Sequence, residues 1–266
     1  MKHLRVIAIV GLFALAGCVS QQTQSGSSSI GGPSTATTTG AETSERSRAR
    51  IHTELAANYY ELGNMGVALE EIREALRADG NYGPAYNVAA LVYARLKDDR
   101  QAEDNFQRAL RIDPNDHDAN NNYGQFLCQR KREKESIRYF VAAVRNPLYP
   151  YPDRSLVNAG VCSRRIGEVA AAEEYFQTAL KLRPNQSQAL YNLAEISYLR
   201  NDWGGAKAYL SRLAQTGVDS PDVLWLGLRV VRKLGDNTTE SSYARQLRTR
   251  FPNAPETAML NAGKFD

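Results

Sequence analysis

From residue 49 onward the chain alternates two apolar stripes, each at helical spacing, with a short polar turn between them. Between Ala85 and Pro114, Tyr86, Ala89, Ala90 and Tyr93 fall on one side of a helix. Steps of three and four residues mark an amphipathic face. Ala102, Phe106 and Ala109 do the same on a second helix, and Asp98-Asp99 fall in the turn between the two. Asp113-Pro114 closes the second helix, because the proline ring cannot continue the hydrogen-bond ladder.

The same grammar returns along the chain. Gly124, Phe140 and Ala143 hold the matching places in the next copy, with Ser136 where a small alanine would stand between the helices. Gly160, Gly167, Ala172, Phe176, Ala179 and Pro184 follow, then Leu193, Ala194 and Ala206, with Leu210 in the aromatic place. Tyr59, Gly63, Ala68 and Ala75 give an upstream copy. Gly235 and Pro252 bound a degenerate last one, in which Glu240 and Ala244 replace alanine and phenylalanine. A helix-turn-helix recurring about every 34 residues is the tetratricopeptide pattern. One such hairpin cannot bury its own apolar face, so hairpins must stack. The expected fold is all-α, a right-handed superhelical solenoid of about six repeats. Their expected bounds are 49–82, 83–116, 117–152, 153–186, 187–220 and 221–254, within a repeat domain at 49–258 and a tail at 259–266. The last repeat is expected to act as a cap with a wetter outer face. Pro147, Pro150 and Pro152 interrupt helix after the third repeat and impose an extended linker. Its Tyr149 and Tyr151 either pack on their own repeat or face a partner.

The first residues follow another rule. Lys2 and Arg5 precede the apolar run from Val6 to Ala16, the order of an export signal. That run is short of the roughly 20 residues a permanent membrane helix needs. Leu15-Ala16-Gly17-Cys18 resembles the bacterial lipobox. The resemblance implies a signal peptide at 1–17, acylation of Cys18 and a new amino terminus there. Val19 stands where an aspartate would resemble an inner-membrane retention signal, so the expected site is the outer membrane, facing the periplasm. From Val19 to about Arg48 the chain is mostly Ser, Thr, Gln and Gly. The segment 18–48 is therefore expected to be a flexible tether, reaching about 30 Å.

Formal charge is +4, and about +2 once Lys2 and Arg5 leave with the signal. That balance gives no electrostatic case for nucleic acid. Three histidines, one of them in the leader, leave no histidine-rich metal site and no histidine-based triad. No phosphate loop, paired-carboxylate signature or metal-ligand spacing occurs. Glu133, Glu135, Glu173 and Glu174 share helices with Lys and Arg, as solvated ion-pair faces do. No catalytic residue, metal or cofactor is expected.

Cys128 and Cys162 fall at nearly equivalent places on the first helices of the third and fourth repeats. Neighbouring thiols in an oxidising compartment form a disulfide. The alternative is two buried thiols acting as small hydrophobes. The first helices of stacked hairpins line a concave wall, to which the repeat positions assign Asn87, Leu91, Arg95, Asn121, Gln125 and Gln129. Further along they assign Val157, Arg164, Arg165, Tyr191, Glu195 and Tyr198. Asparagine amides suit the backbone of an extended peptide, arginines a carboxylate, and tyrosines add area at low entropic cost. The bland reading of each residue is a solvated face.

Asn120-Asn121-Asn122-Tyr123-Gly124-Gln125-Phe126-Leu127-Cys128 resembles the third-repeat signature of the type IV pilus lipoprotein family called PilF or PilW. Leu148-Tyr149-Pro150 and Asn158-Ala159-Gly160-Val161-Cys162 extend the resemblance, and the cysteine pair is similar to its neisserial branch. The resemblance implies an outer-membrane lipoprotein with protein partners. These are the secretin, whose localisation or multimerisation it aids, or other pilus components that it stabilises. A periplasmic envelope-assembly scaffold not dedicated to pili is the competing expectation.

Overall fold

The computed structural model describes residues 43–265. The expected leader at 1–17, the acylated Cys18 and most of the expected tether lie outside the described residues. Six helix pairs follow in order: α1 (Ser44–Glu61) with α2 (Met65–Ala78), α3 (Gly83–Arg95) with α4 (Asp99–Ile112), and α5 (His117–Gln129) with α6 (Glu133–Arg145). Then come α7 (Pro152–Arg165) with α8 (Val169–Leu182), α9 (Ser187–Leu199) with α10 (Trp203–Ala214), and α11 (Pro221–Lys233) with α12 (Asn237–Arg250). The short α13 (Pro255–Asn261) closes the series. The described chain is thus the all-α solenoid of tetratricopeptide repeats that the periodicity predicts.

Local chemistry sets the ends. Asp98, Asp116, Asp202 and Asp236 accept backbone N–H bonds in the first turns of α4, α5, α10 and α12, satisfying donors that have no partner inside the helix. Pro84, Pro152, Pro221 and Pro255 stand at the starts of α3, α7, α11 and α13, where a missing N–H costs nothing. Each turn within a pair holds one residue at positive φ: Gly63, Lys97, Lys131, Gly167, Asn201 and Gly235. Lys97 (64°) and Lys131 (61°) take this backbone against the steric cost of a Cβ.

Within each pair a small residue on the first helix faces a large one on the second. A Cβ added at Gly124 would lie 2.9 Å from the Phe140 ring, and one at Gly160 would lie 2.6 Å from Phe176. Ala56 and Ile72, Ala90 and Phe106, and Ala194 and Leu210 hold the same places in other repeats, all buried. The sixth repeat inverts the sizes: Leu228 occupies the small place and Ala244 the large one, in one cluster with Trp225 and Leu247. Gly227 compensates one residue earlier, its α-carbon facing the Tyr243 ring.

Three boundaries differ from expectation. Helix α1 starts at Ser44 rather than 49, capped by the Thr43 side chain on the Arg46 N–H at 3.2 Å, so the tether's last residues are helical. Residues 259–265 of the expected tail are part of the fold. Met259, Leu260 and Phe265 pack in the last cluster, with Phe265 stacked on Trp225 at 5.7 Å. The sixth repeat is therefore itself covered by α13. Finally, Pro152 begins α7 instead of ending a linker. Tyr149 turns inward, buried and stacked on His117 at 4.8 Å, while Leu148 is 82% exposed.

First helices touch first helices from α1 through α11, whereas no two second helices touch among the described residues. Contact on one side and splay on the other bend the stack, with α1, α3, α5, α7, α9 and α11 along its inner wall.

Candidate functional site

The inner wall is tied together by side-chain amides. Asn122 Nδ2 donates to Asn87 Oδ1 at 3.2 Å, and Asn158 Nδ2 donates to Asn121 Oδ1 at 3.3 Å. Ser155 Oγ donates to the same Asn121 oxygen at 2.8 Å. Asn122, Asn158 and Asn192 occupy the same position of successive first helices, the sixth of their repeats. That recurrence was legible in the sequence but lies outside the positions assigned to the groove. Asn192 Oδ1 accepts from Arg164 Nη1 at 2.5 Å, and Arg164 also pairs with Glu195 at 2.8 Å. The expectation that Arg164 offers its charge to a partner's carboxylate is therefore corrected, because Glu195 already neutralises it. Val157 is also displaced from the wall, being 1% exposed in the core.

Cys128 and Cys162 are joined by a disulfide, with Cα atoms 6.1 Å apart, linking α5 to α7. The two-residue offset between them lies within bonding range. The bridge lies in a depression of about 180 Å³ that Gln125, Gln129, Asn158 and Arg165 also line. Arg165 Nη1 donates to the Cys128 carbonyl at 3.3 Å.

On one side Gln125 and Gln129 are shared with a depression of about 190 Å³ walled by Tyr60, Leu91 and Phe126. Arg95 lies there too, its guanidinium 4.6 Å from the Tyr60 ring centroid. On the other side Val161 and Gln188 are shared with a larger one, about 450 Å³, walled by Tyr191, Leu213, Val218 and Val223. Burial, reinforced by the Glu195 carboxylate, pushes the Tyr191 hydroxyl well above its ordinary pKa, so it stays a neutral donor. Tyr198, two turns further along α9, lies beneath the Arg229 guanidinium at 4.5 Å. The residues of α11 escaped the sequence reading, since its groove positions stopped at α9.

Apart from Val157, the residues assigned to the groove lie on the first helices, along a wall carrying a run of linked depressions. Asn87, Asn121, Arg164 and Glu195 are engaged within the wall. Leu91, Gln125, Arg165, Tyr191 and Tyr198 line its openings or lie beside them. The arrangement offers apolar hollows rimmed by amide and guanidinium donors, a surface suited to an extended segment of another protein.

Asp116, His117 and Asp118 hold possible ligand atoms within 4.8 Å of one another. Asp116 caps α5 through the N–H groups of Asp118 and Ala119, and His117 is the ring under Tyr149, which accounts for the cluster structurally.

Tetratricopeptide-repeat models match residues 83–116, 105–138 and 167–226. The crystal structure of PilW, described as a widely conserved type IV pilus biogenesis factor, superposes with a TM-score of 0.71 at 33% identity, covering 80% of this chain and 98% of that one. The structure of PilF from Pseudomonas aeruginosa gives a TM-score of 0.77 at 28% identity, covering 84% and 100%. Over 211 residues the sequence is 30% identical to the P. aeruginosa type IV pilus assembly protein PilF, spanning 79% of this chain and 84% of that protein. With the repeat architecture and this extent of identity together, the chain belongs to the PilF family of type IV pilus assembly proteins.

Proposed function

We propose that this chain is a lipid-anchored adaptor of the type IV pilus machine. Acyl chains on Cys18 hold it to the outer membrane, the repeats face the periplasm, and the inner wall grips the secretin, aiding its localisation, its multimerisation or the stability of the pilus. The observation that carries this reading is the continuous inner wall, with depressions linked through Gln125, Gln129, Val161 and Gln188, in a chain whose relatives assemble type IV pili. The lipobox-like Leu15-Ala16-Gly17-Cys18 supports the anchor, since several acyl chains hold far more firmly than one.

The test is photo-crosslinking in piliated cells from Arg165 and Tyr191, with mass-spectrometric identification of what is caught. Capture of the secretin supports the reading. Capture of other envelope-assembly factors alone, with normal pili in a deletion strain, replaces it with the general scaffold. A Cys18→Ala variant is expected to move to the soluble periplasmic fraction, and unchanged membrane fractionation contradicts the anchor.

A further inference from the structure

The last stretch of the inner wall differs in charge from the rest. Tyr198, Arg229, Arg232, Lys233, Gly263 and Phe265 enclose a recess of about 330 Å³. Arg232 is paired with Glu240 at 2.7 Å. Arg229 and Lys233 have no carboxylate partner among the described residues; each cation is instead packed on aromatic faces. Arg229 lies 4.5 Å from the Tyr198 centroid and 6.0 Å from that of Trp225, and Lys233 lies 5.9 Å from Trp203. The Arg229 Nε is buried and meets no acceptor, and leaving such a donor unmatched is costly. Packed near two rings and without an acceptor for its Nε, this guanidinium keeps donors that a carboxylate can satisfy.

Two turns back along α9, Tyr191 walls the larger, apolar depression. Seven residues of helix span about 10.5 Å, which an extended peptide covers in about three residues.

We propose that the recess of Arg229 and Lys233 receives an acidic side chain from an extended segment of a partner protein, whose apolar residue about three positions away enters the depression beside Tyr191. The inference rests on the reading of the inner wall as a partner-binding groove, and adds the chemistry of the segment it holds. Arg164 contributes no net charge to this preference, because Glu195 neutralises it. Two other wall cations, Arg95 and Arg165, also lack a carboxylate partner among the described residues, but Arg95 packs on the Tyr60 ring and Arg165 donates to the Cys128 carbonyl, outside the recess.

The probe is a fluorescent twelve-residue peptide carrying Leu-Gly-Ser-Glu-Asp between Gly-Ser flanks, titrated by anisotropy against the full mature chain. Its control has Gln-Asn in place of Glu-Asp. The acidic peptide is expected to bind, and an Arg229→Gln/Lys233→Gln variant to weaken it about tenfold or more, the equivalent of ~1.4 kcal/mol. Arg229→Lys, which keeps the charge and loses the guanidinium, is expected to bind between the wild type and the Gln variant, and about 0.5 M salt to weaken binding. An unchanged circular dichroism spectrum shows that the charge-removing variant still folds. Equal binding of the control peptide, no binding of the acidic one, or unchanged affinity in the Gln variant overturns the inference. Crosslinking from Tyr191 separates the two levels. A pilus protein caught equally by wild type and Gln variant removes the recess alone, whereas none caught by either removes the groove reading itself.

Discussion

Replacing Gly160 with alanine adds one methyl group where the Phe176 ring already stands. The new Cβ meets Cε1, Cζ and Cδ1 at 2.6, 2.8 and 2.9 Å. Phe176 is fully buried, so its ring has no solvent to swing into, and α7 and α8 must part or the ring must leave its rotamer. Overpacking of this kind costs ~1–3 kcal/mol, and the better helix propensity of alanine offsets ~0.8–1 kcal/mol of it. Ala90 opposite Phe106 shows that methyl and ring fit together where the two helices are set for them, which favours the low end of that range. A net loss of about 1 kcal/mol is expected. Phe176→Leu alone leaves a void and costs ~1–3 kcal/mol. The double variant reproduces the Ala194 and Leu210 pair of the fifth repeat, so its cost is expected to be smaller than the sum of the singles by about 1 kcal/mol. Urea unfolding followed by circular dichroism reads the midpoints, and hydrogen exchange of α7 and α8 localises the effect. A neutral Gly160→Ala, with the two changes additive within ~0.3 kcal/mol, refutes the idea that glycine and phenyl set the approach of the helices.

Three further outcomes follow from other parts of the array. The Cys128–Cys162 bridge closes a sequence separation of 34, so Cys128→Ser/Cys162→Ser is expected to lose ~3–4 kcal/mol by the chain-entropy argument; an unchanged unfolding midpoint, with and without reductant, contradicts this. Lys131→Gly removes a Cβ from a left-handed backbone and is expected to raise stability by about 1 kcal/mol, read as a higher urea midpoint; a lower one shows that the turn is unstrained. Arg132 beside Glu103 holds that carboxyl below its ordinary 4.5. The ionised form is favoured by folding, so its contribution is complete above about pH 4.5 and is lost as pH falls through the lower folded value. Glu103→Gln should therefore flatten the fall in thermal midpoint below that pH, and parallel curves for the two proteins would show that the ion pair adds nothing.

Much of the fold was legible because each repeat states the same packing twice. Gly124 with Phe140 and Gly160 with Phe176 sit in equivalent places in sequence, and the structure puts each pair in direct contact. The ends were less legible. Thr43 and Ser44 belong to a polar stretch whose composition says tether, and only the capping bond to Arg46 and the packing of α1 on α2 make it helical. Phe265 carries no periodic signal, since it lies beyond α13 and meets Trp225 and Arg232 on α11. At the inner wall, position along the repeat identified which residues face inward but not which were already engaged. Arg164 and Glu195 are 31 residues apart, and no local pattern reveals that they neutralise each other. Asn158 was equally invisible as the donor to Asn121, because that bond crosses between neighbouring hairpins.

This internal engagement changes what a partner meets. The Asn122–Asn87, Asn158–Asn121 and Arg164–Asn192 bonds run between successive first helices, and the disulfide adds a covalent link between two of them. They fix the spacing of the inner wall, so the hollows between helices exist before a partner arrives and little ordering remains to oppose binding. The groups left to contact a ligand are the glutamines, the tyrosines and Arg165 at the mouths of the depressions and the cations of α11 that have no carboxylate partner among the described residues. An asparagine substitution at 121 therefore acts first on the register of α5 against α7, where Ser155 and Asn158 lose their common acceptor. A substitution at the exposed Gln125 leaves that register intact and acts on the complex alone. Comparing thermal midpoint with crosslinking yield for Asn121→Ala and Gln125→Ala separates the two roles. A lower midpoint for the first and a lower yield at unchanged midpoint for the second are expected, and the reverse pattern would show that the amide ladder, not the hollows, is what the partner touches.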